Sequence, residues 1–308
     1  MRPFASGNTP LRWAKGDSTL AIPKLAFTFW SGDQLSYLHV LTIKSVSFFN
    51  PDYEIIIYTT KQPEDAAPTR QWGTEEHNLA YSELFNLSDL GKLRNVDIRY
   101  VDLADYTGCA SEFSDVHIAD AVRILKLKEH GGIWFDFDIL FLKPFWESFS
   151  EILQPEHSVV TMKSPSAAHV WTGFLVAEPD APLLNRLHAR VLDILRTKTS
   201  SGMSYQEIGP FLWTALINED RAGLNLIDPI YMYPYAWNET LEYFTSIDKQ
   251  TRATSMTVGI HWFNGALRTR KFINIGSKHI RVHNPKTPFE RDLKRLHDLG
   301  VFSTLAEV

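Results

Sequence analysis

The stretch GGIWFDFDILFLKPF, residues 131–145, places two aspartates, Asp136 and Asp138, inside an otherwise apolar run. Ionised carboxylates are costly to bury without a partner, so this stretch raises the question of what neutralises them. In a β-strand, side chains alternate between the two faces. The alternation predicts a core face of Ile133, Phe135, Phe137 and Ile139, and an opposite face of Trp134, Asp136, Asp138 and Leu140.

Two carboxylates this close repel each other and raise one of their pKa values unless a cation lies between them. A divalent metal with oxygen ligands resolves that repulsion and commonly also binds substrate phosphates. The spacing alone is a weak signal, since a chain of this length has roughly one such Asp-x-Asp by chance. The alternative is a strand that ends at Phe135, with both carboxylates facing solvent. The glycines before the pair and the apolar run after it argue against a simple exposed turn.

A helix is predicted immediately before this stretch, over about residues 116–130, and the Gly131-Gly132 pair suits its C-terminus. Asp120 and Arg123 lie one turn apart on the side opposite its apolar stripe. One interpretation is a surface ion pair worth a few tenths of a kcal/mol. The other is a pair facing a cleft, in which Asp120 accepts bonds from ribose hydroxyls and Arg123 donates to a base or a phosphate. The apolar stripe consists of Ile118, Ala121, Val122 and Leu125.

The strands and helices around this stretch predict an α/β fold. Apolar strands over 24–30 and 53–60 flank a helix over 35–49, and such succession favours parallel pairing. Residues 1–20 are predicted to be an N-terminal arm, and residues 21–308 a single domain. A short helix is expected near 79–85. Further strands are expected over 97–103, 157–163, 172–178 and 257–263, and further helices over 183–195, 208–217 and 288–300.

Composition excludes several classes of function. The chain has 31 basic and 36 acidic residues and a net charge of −5, so it has no overall basic footprint for nucleic acid. Cys109 is the only cysteine, which rules out an internal disulfide and a zinc cluster of thiolates. The first 20 residues lack the apolar core of a secretory signal, and no apolar run is long enough to span a membrane. We therefore expect a cytoplasmic protein with no nucleic-acid partner and no membrane span.

Several segments together resemble the DXD sugar-transferase family. That family includes Och-type mannosyltransferases, lactosylceramide α-galactosyltransferases and capsule-synthesis enzymes, with the glucosylating bacterial toxins as more distant relatives. The resemblance covers about residues 22–265, and its most specific part is the block in which Asp120, Arg123, the double glycine and both aspartates keep the family spacing. The segments are IPKLAFTFW, NPDYEIIIYT, ADAVRILKLKEHGGIWFDFDILFLKPF, IGPFLWTAL and GIHWF, in this order.

The resemblance implies a GT-A fold, in which one Rossmann-like α/β domain has a mainly parallel mixed sheet flanked by helices. It implies a hexosyltransferase that uses a nucleotide-sugar donor and Mn²⁺ or Mg²⁺, retains anomeric configuration and serves polysaccharide biosynthesis. It makes Asp138 the direct metal ligand, and Asp136 a contact of the donor ribose or sugar that reaches the metal through water. Asp120 and Arg123 hold the nucleotide and the donor sugar. The implied catalytic residues are Asp136, Asp138 and Arg123.

Other positions match the family less specifically. Trp30 matches a tryptophan that lies against the base in the toxin branch, which favours UDP over GDP; the alternative is a core aromatic at a strand end. His261 matches a late histidine that approaches the metal or the diphosphate; the alternative is a satisfied core histidine. Asn264 is a candidate for substrate binding in the same region. Gly209 and Pro210 match a turn near the acceptor side, where plain turn geometry is the alternative.

The chain also departs from the family pattern. Ala119 stands where a serine is common and removes one hydroxyl contact to the nucleotide. Phe27 stands where a histidine is common in the first strand, and Trp134 replaces the commoner tyrosine. None of these changes deletes an implied metal ligand. They leave the identity of the substrate open.

Other functions remain as alternatives. A haloacid-dehalogenase-type phosphatase also has an aspartate pair after an apolar strand, but its motif continues into Gly-Thr, whereas Ile139 and Leu140 follow here. A non-catalytic nucleotide-sugar-binding relative would bind the donor and the metal without turnover. A toxin-like glycosyltransferase would modify a protein instead of a glycan or another hydroxyl acceptor.

Overall fold

The computed structural model describes residues 11–13, 20–60, 83–108, 113–149, 157–164, 169–266, 269, 272, 275–276 and 283–302. Cys109 lies outside these residues. Leu11–Trp13 pairs antiparallel with Leu20–Ile22, and the division into an arm over 1–20 and one domain over 21–308 stays a prediction. None of the described helices is both long enough and apolar enough to cross a membrane.

Strands and helices alternate along the described chain. The strands are β1 Leu11–Trp13, β2 Leu20–Ile22, β3 Leu25–Phe29, β4 Gln34–Leu35, β5 Glu54–Thr59, β6 Phe85–Asn86, β7 Val96–Tyr100, β8 Gly132–Phe135, β9 Ile139–Phe141, β10 Val159–Lys163, β11 Val170–Ala177, β12 Leu224–Ile227 and β13 Gly259–His261. The α-helices are α1 Tyr37–Phe49, α2 Leu87–Leu90, α3 Ala104–Thr107, α4 Asp115–His130, α5 Phe145–Phe149, α6 Pro182–Thr197, α7 Leu212–Glu219, α8 Thr240–Thr245 and α9 Pro288–Asp298.

The central sheet joins seven of the described strands in the order β12-β10-β11-β8-β3-β5-β7. Its neighbours pair in parallel except where β11 lies antiparallel to both β10 and β8. The sheet is therefore mixed and mainly parallel, and the α/β class predicted from the sequence is confirmed. Because parallel strands end at the same edge, the carboxyl ends of β3 and β8 lie side by side.

The sheet is apolar on both faces, as expected for strands covered by helices on both sides. On one face, Ala26, Ile55 and Phe135 belong to a core that includes Val40 and Ile43 of α1. On the other face, neighbouring residues of the same strands pack against helices α4, α6 and α7. This second core includes Phe27, Ile56, Trp134, Leu175, Ala121, Leu125, Leu187 and Trp213.

Helix α4 ends where the double glycine predicts. Gly131 and Gly132 have φ angles of 62° and 99°, a region that L side chains rarely adopt. A Cβ at Gly131 would lie 2.5 Å from Pro179, and one at Gly132 would lie 2.6 Å from the carbonyl oxygen of Leu25. The two glycines therefore allow the chain to turn sharply from the helix into β8 against neighbouring backbone.

The prediction of one strand through the aspartate pair is wrong. β8 ends at Phe135, Phe137 and Asp138 form a turn, and β9 leaves the central sheet to pair antiparallel with β13. The predicted core face is nevertheless buried across the break, with Ile133 2%, Phe135 0%, Phe137 6% and Ile139 0% exposed. The apolar pattern marks burial correctly, but it cannot show where the hydrogen-bonding partner strand changes.

Two other predicted helices differ locally. In the segment predicted as a short helix near 79–85, residues 79–82 lie outside the described residues and Phe85 belongs to β6; the helix follows as α2. The helix predicted over 208–217 begins instead with a π-turn, Glu207–Phe211, before α7. Pro210 lies inside that turn, and proline lacks the N–H that a regular helix needs there.

Candidate active site

A pocket of about 550 Å³ lies at the carboxyl edge of the central sheet. Trp30 follows β3, Asp136 follows β8, and Trp171 lies near the start of antiparallel β11, so all three reach this edge. The volume falls within the range of small-molecule sites, ~300–1,000 Å³. The predicted site residues Trp30, Asp120, Arg123, Asp136, Asp138, His261 and Asn264 all line it.

Arg123 connects two carboxylates. Its Nη1 lies 2.8 Å from Oδ1 of Asp120, and its Nη2 donates to Oδ1 of Asp136 at 2.9 Å. Asp120 and Arg123 are 6% and 5% exposed. The pair therefore lines the cleft and is not a surface ion pair, and its predicted contacts with ribose hydroxyls, a base or a phosphate stay a prediction. A guanidinium thus supplies part of the charge that the aspartate pair needs.

Trp134 makes a second contact to the carboxylate of Asp136. Its indole Nε1 donates to Oδ1 of Asp136 at 2.9 Å, and the guanidinium carbon of Arg123 lies 5.0 Å from its ring centroid. Trp134 is 1% exposed. The sequence marks it as a departure from the family but gives no signal of this hydrogen bond, because the bond depends on the backbone turn after Phe135.

Asp138 faces the turn that follows β13. The main-chain N–H of Asn264 donates to Oδ2 of Asp138 at 2.7 Å, and Nε2 of His261 lies 3.2 Å from Oδ1 of Asp138 and 3.5 Å from Oδ2 of Asp136. Ligand atoms of Asp136, Asp138 and His261 all lie within 4.8 Å of one another. Two carboxylates and one imidazole at this spacing are a donor set that suits a divalent metal.

Burial and neighbouring charges shift the pKa values of these groups in different directions. Burial raises the pKa of Asp120 to about 6, against the opposing effect of Arg123. Burial also acts to raise the pKa of Asp136, but Arg123 and hydrogen bonds from His261 and Trp134 bring it down to about 2. The pKa of Asp138 is raised by burial and by the charge of Asp136. Burial lowers the pKa of His261, but Asp138 and Asp136 raise it more.

The other ring nitrogen of His261 is also engaged. The main-chain N–H of Phe263 donates to Nδ1 of His261 at 3.2 Å, so a neutral ring carries its proton on Nε2, the atom that faces both aspartates. Phe263 has a φ angle of 51°, a conformation that costs a non-glycine residue about 1–3 kcal/mol. This strained residue directs its own N–H at the imidazole and the next N–H at Asp138.

The remaining predicted residues have the following positions. Trp30 is 6% exposed; its ring packs against His39 and Phe137, with centroids 4.3 and 5.0 Å away, and its Nε1 donates to the carbonyl of Gln34. It is thus a core aromatic with one edge at the pocket. Asn264 lines the pocket, and its main-chain N–H donates to Asp138.

Two glycines let backbone pass close to the carboxylates. A Cβ at Gly209 would lie 2.4 Å from Oδ2 of Asp120, and one at Gly173 would lie 2.8 Å from Oδ2 of Asp136. Gly209 therefore belongs to the wall around Asp120. This close approach is a reason for a glycine here in addition to the geometry of the turn. Gly173 has no distinctive sequence context, and sequence reasoning misses it.

Comparisons with known proteins agree with the predicted resemblance. Residues 37–159 match a family model described as the glycosyltransferase sugar-binding region containing the DXD motif. No curated protein matches the chain in sequence. The resemblance is confirmed over the matched region, and the predicted GT-A class agrees with the mixed, mainly parallel sheet.

Three similar solved structures are those of a PaToxG glycosyltransferase, of apo GlyE from Streptococcus pneumoniae TIGR4, and of the galactosyltransferase LgtC with donor and acceptor sugar analogues. PaToxG is 16% identical with a TM-score of 0.44, over 64% of this chain and 69% of that chain. GlyE is 12% identical with a TM-score of 0.45, over 90% of this chain and 64% of that chain. LgtC is 11% identical with a TM-score of 0.44, over 90% of this chain and 95% of that chain.

Proposed function

We propose that this chain, a glycosyltransferase that carries the DXD sugar-binding region over residues 37–159, is metal-dependent. In this proposal it transfers a hexose from a UDP-sugar to a hydroxyl acceptor with retention of anomeric configuration. The observation that carries the proposal is the cluster of Asp136, Asp138 and His261, whose ligand atoms lie within 4.8 Å of one another beside Arg123.

Asp138 is the proposed direct ligand of Mn²⁺ or Mg²⁺, with His261 at the same centre. Asp136 lies between this centre and Arg123, which fits a role in orienting the donor ribose or sugar. A bound divalent ion supplies positive charge that stabilises the leaving diphosphate. Without it, four carboxylates line the pocket, Asp115, Asp120, Asp136 and Asp138, together with one guanidinium, Arg123, and this excess of acidic groups favours the binding of a cation.

The proposed chemistry needs no protein base. The acceptor oxygen forms a bond to the anomeric carbon as the bond from that carbon to the diphosphate oxygen breaks. The nucleoside diphosphate leaves with the electron pair of the broken bond, and its phosphate oxygen takes the acceptor proton. Arg123 adds a fixed positive charge near the developing negative charge. Asp136 has a pKa of about 2, so it is ionised at neutral pH and holds Arg123 in place.

Calorimetric titration with UDP and with GDP, each with and without Mn²⁺, tests the proposal. We expect UDP to bind more tightly than GDP, and to need Mn²⁺. Asp138→Asn should lose the Mn²⁺-dependent part of the affinity and lose transfer while keeping its unfolding midpoint. Asp193→Asn, at an exposed position of α6, is the matched control and should bind as the parent does. Full turnover by Asp138→Asn would contradict the assignment.

The result also separates the alternatives left open by the sequence. Tight binding of GDP would indicate that the donor is a GDP-sugar and not a UDP-sugar. Binding of nucleotide and Mn²⁺ without transfer to any acceptor or to water would identify a non-catalytic binding protein. Transfer only to a protein hydroxyl would identify a toxin-like enzyme.

A second measurement resolves the role of His261. If Nε2 binds the metal, His261→Ala should weaken Mn²⁺ binding in the absence of nucleotide. If Nε2–H donates to the diphosphate, the same change should leave Mn²⁺ binding intact and weaken nucleotide binding. The N–H of Phe263 on Nδ1 favours the second role, because metal-binding histidines usually donate their other ring N–H.

A further inference from the structure

The pocket extends to both sides of the carboxylates along the sheet edge. Along the sheet edge the strand order is β11, β8, β3. Trp30 lies at the end of β3, Asp136 at the end of β8, and Trp171 in β11. Neighbouring strands lie about 4.8 Å apart, so the strands of Trp30 and Trp171 are separated by roughly 10 Å, with Asp136 between them.

Beyond β8, the rings of Tyr233 and Phe263 pack against Trp171 of β11. We define these three residues, with Tyr205 and Trp237 of the same pocket lining, as the aromatic half. Trp171 stacks on Tyr233 with ring centroids 4.6 Å apart and an interplanar angle of 17°. The ring of Phe263 lies 5.2 Å from Trp171 and 4.2 Å from His261. The aromatic half therefore begins in direct contact with the candidate metal centre.

Its outer members remain open to solvent. Trp237 is 55% exposed and Tyr205 is 40% exposed, although both line the pocket. Large exposed aromatic side chains that rim a concave site commonly mark a place where a ligand binds. Gln206 and Asn264 line the same pocket, and their amides offer both donors and acceptors.

We propose that the aromatic half is the acceptor subsite and that its occupant is a carbohydrate, with one sugar ring lying on Trp237. This inference rests on the proposed function and names its acceptor class. The face of an aromatic ring carries partial negative charge, which attracts the polarised C–H bonds on the apolar face of a pyranose. The hydroxyls around the edge of that pyranose then need donors and acceptors, which Gln206 and Asn264 supply.

The placement fits the transfer as well as the binding. A donor whose nucleotide lies toward Trp30 presents its sugar near Asp136 and Asp138. An acceptor in the aromatic half then approaches from the opposite side of the same carboxylates. A protein acceptor would present its hydroxyl from a long main chain, which needs an open groove or strand edge, whereas these aromatic residues rim a concave pocket that matches a sugar ring.

The test is saturation-transfer NMR on the full chain with UDP and Mn²⁺, using lactose, cellobiose and mannobiose as sugar probes and a serine- and threonine-rich peptide as the protein probe. We expect at least one disaccharide to bind and the peptide not to bind. Trp237→Ala should weaken that disaccharide about tenfold while UDP affinity, measured by calorimetry, stays within about twofold. Phe48→Ala is the control, since Phe48 is 45% exposed on α1 and lies away from the pocket lining.

The outcomes separate this inference from the function on which it rests. If UDP binds but no disaccharide binds, or if Trp237→Ala binds the disaccharide as tightly as the parent, the acceptor subsite is refuted and the donor site stands. Binding of the peptide alone would replace the carbohydrate by a protein acceptor. If neither UDP nor GDP binds with Mn²⁺, the proposed function fails, and this inference fails with it.

Discussion

At the residue scale, Arg123 lies between carboxylates that come from different elements. Its guanidinium contacts Asp120 on its own helix and Asp136 after β8, and its central carbon lies over the ring of Trp134. A planar group with several fixed donors can make all of these contacts at once, which a lysine ammonium cannot do. Removing any one partner would leave a buried polar group unsatisfied, and that is more costly than the bond itself.

Trp134→Phe tests this residue network. The change removes the N–H that donates to Asp136 but keeps an aromatic ring under Arg123. A hydrogen bond to a charged group contributes about 1.5–3 kcal/mol, so we expect kcat/KM to fall by roughly 10- to 100-fold. Steady-state kinetics with a sugar donor that carries the nucleotide identified by calorimetry measures the loss.

The control for this change is Trp134→Tyr, which supplies the residue commoner in the family and a hydroxyl donor. It should recover part of the lost kcat/KM. A purely structural role would give equal losses in both variants and a matching fall in unfolding midpoint. An unchanged kcat/KM in Trp134→Phe would show that Arg123 alone holds Asp136.

At the element scale, the π-turn Glu207–Phe211 presses its backbone against α4. Gly209 has non-helical φ and ψ angles of −93° and −126°, and its Cα faces the carboxylate of Asp120. A turn that carries Pro210 cannot continue the regular hydrogen-bond pattern of α7, so it bends toward the pocket. The turn therefore forms the wall that keeps Asp120 buried.

Gly209→Ala would place a methyl group 2.4 Å from Oδ2 of Asp120, a distance at which one of the two groups must move. We expect nucleotide affinity to fall about tenfold or more, with a loss of stability of about 1–3 kcal/mol from overpacking. Calorimetry and denaturant unfolding give the two values. Gly202→Ala is the matched control, because its nearest neighbour would lie 3.9 Å away. Equal affinities in both variants would show that Asp120 has room to move.

Elements were predictable from the sequence where the signal is local. The apolar periodicity of α4, the glycines that end it and the apolar strands β3 and β5 lie within short windows. The break after Phe135 was not predictable, because β9 pairs with β13, a strand more than a hundred residues later in the sequence. The same distance in sequence separates Asp138 from His261. Only the family resemblance suggested that the two belong to one centre.

Some parts of the site leave no local signal in the sequence. Trp134, Gly173 and the aromatic half have ordinary side chains whose importance depends on what packs beside them. The helical spacing of Asp120 and Arg123 identifies them as a pair, but it does not show that they are buried. Local patterns therefore identified the charged residues of the site, and tertiary contacts determined what those residues face.

At the scale of the whole molecule, the C-terminal part of the chain packs behind the candidate metal centre. Ile260 of β13 and Leu140 of β9 belong to a third core that also includes Tyr243 of α8 and Leu293 of α9. His261 is held in place by this small sheet. The closing helix α9 is thus part of the framework that positions the candidate ligand, although it lies outside the region matched by the family model.

Asp292 of α9 makes this support sensitive to pH. It is 2% exposed and accepts a hydrogen bond from Oγ1 of Thr251 at 3.0 Å. Burial raises its pKa to about 6, against smaller lowering effects of Thr251, Tyr243 and Arg295. Because the folded-state pKa is above the ordinary value of 3.8, the native state holds the proton more tightly. The contribution of Asp292 to stability is therefore fully present below about pH 4 and is lost as the pH rises through about 6.

Asp292→Asn removes this titration while keeping an oxygen that can accept from Thr251. The free energy of unfolding of the variant, relative to that of the parent, should rise by roughly 2–3 kcal/mol between pH 4 and pH 8. Denaturant unfolding of both proteins at the two pH values measures the change, and taking the difference cancels the titration of Asp120 and the other groups they share. A difference that is constant with pH would mean that the carboxylate is solvated in the folded protein. The expected rise would show instead that the burial of Asp292 on α9 makes the stability of the frame behind His261 depend on pH.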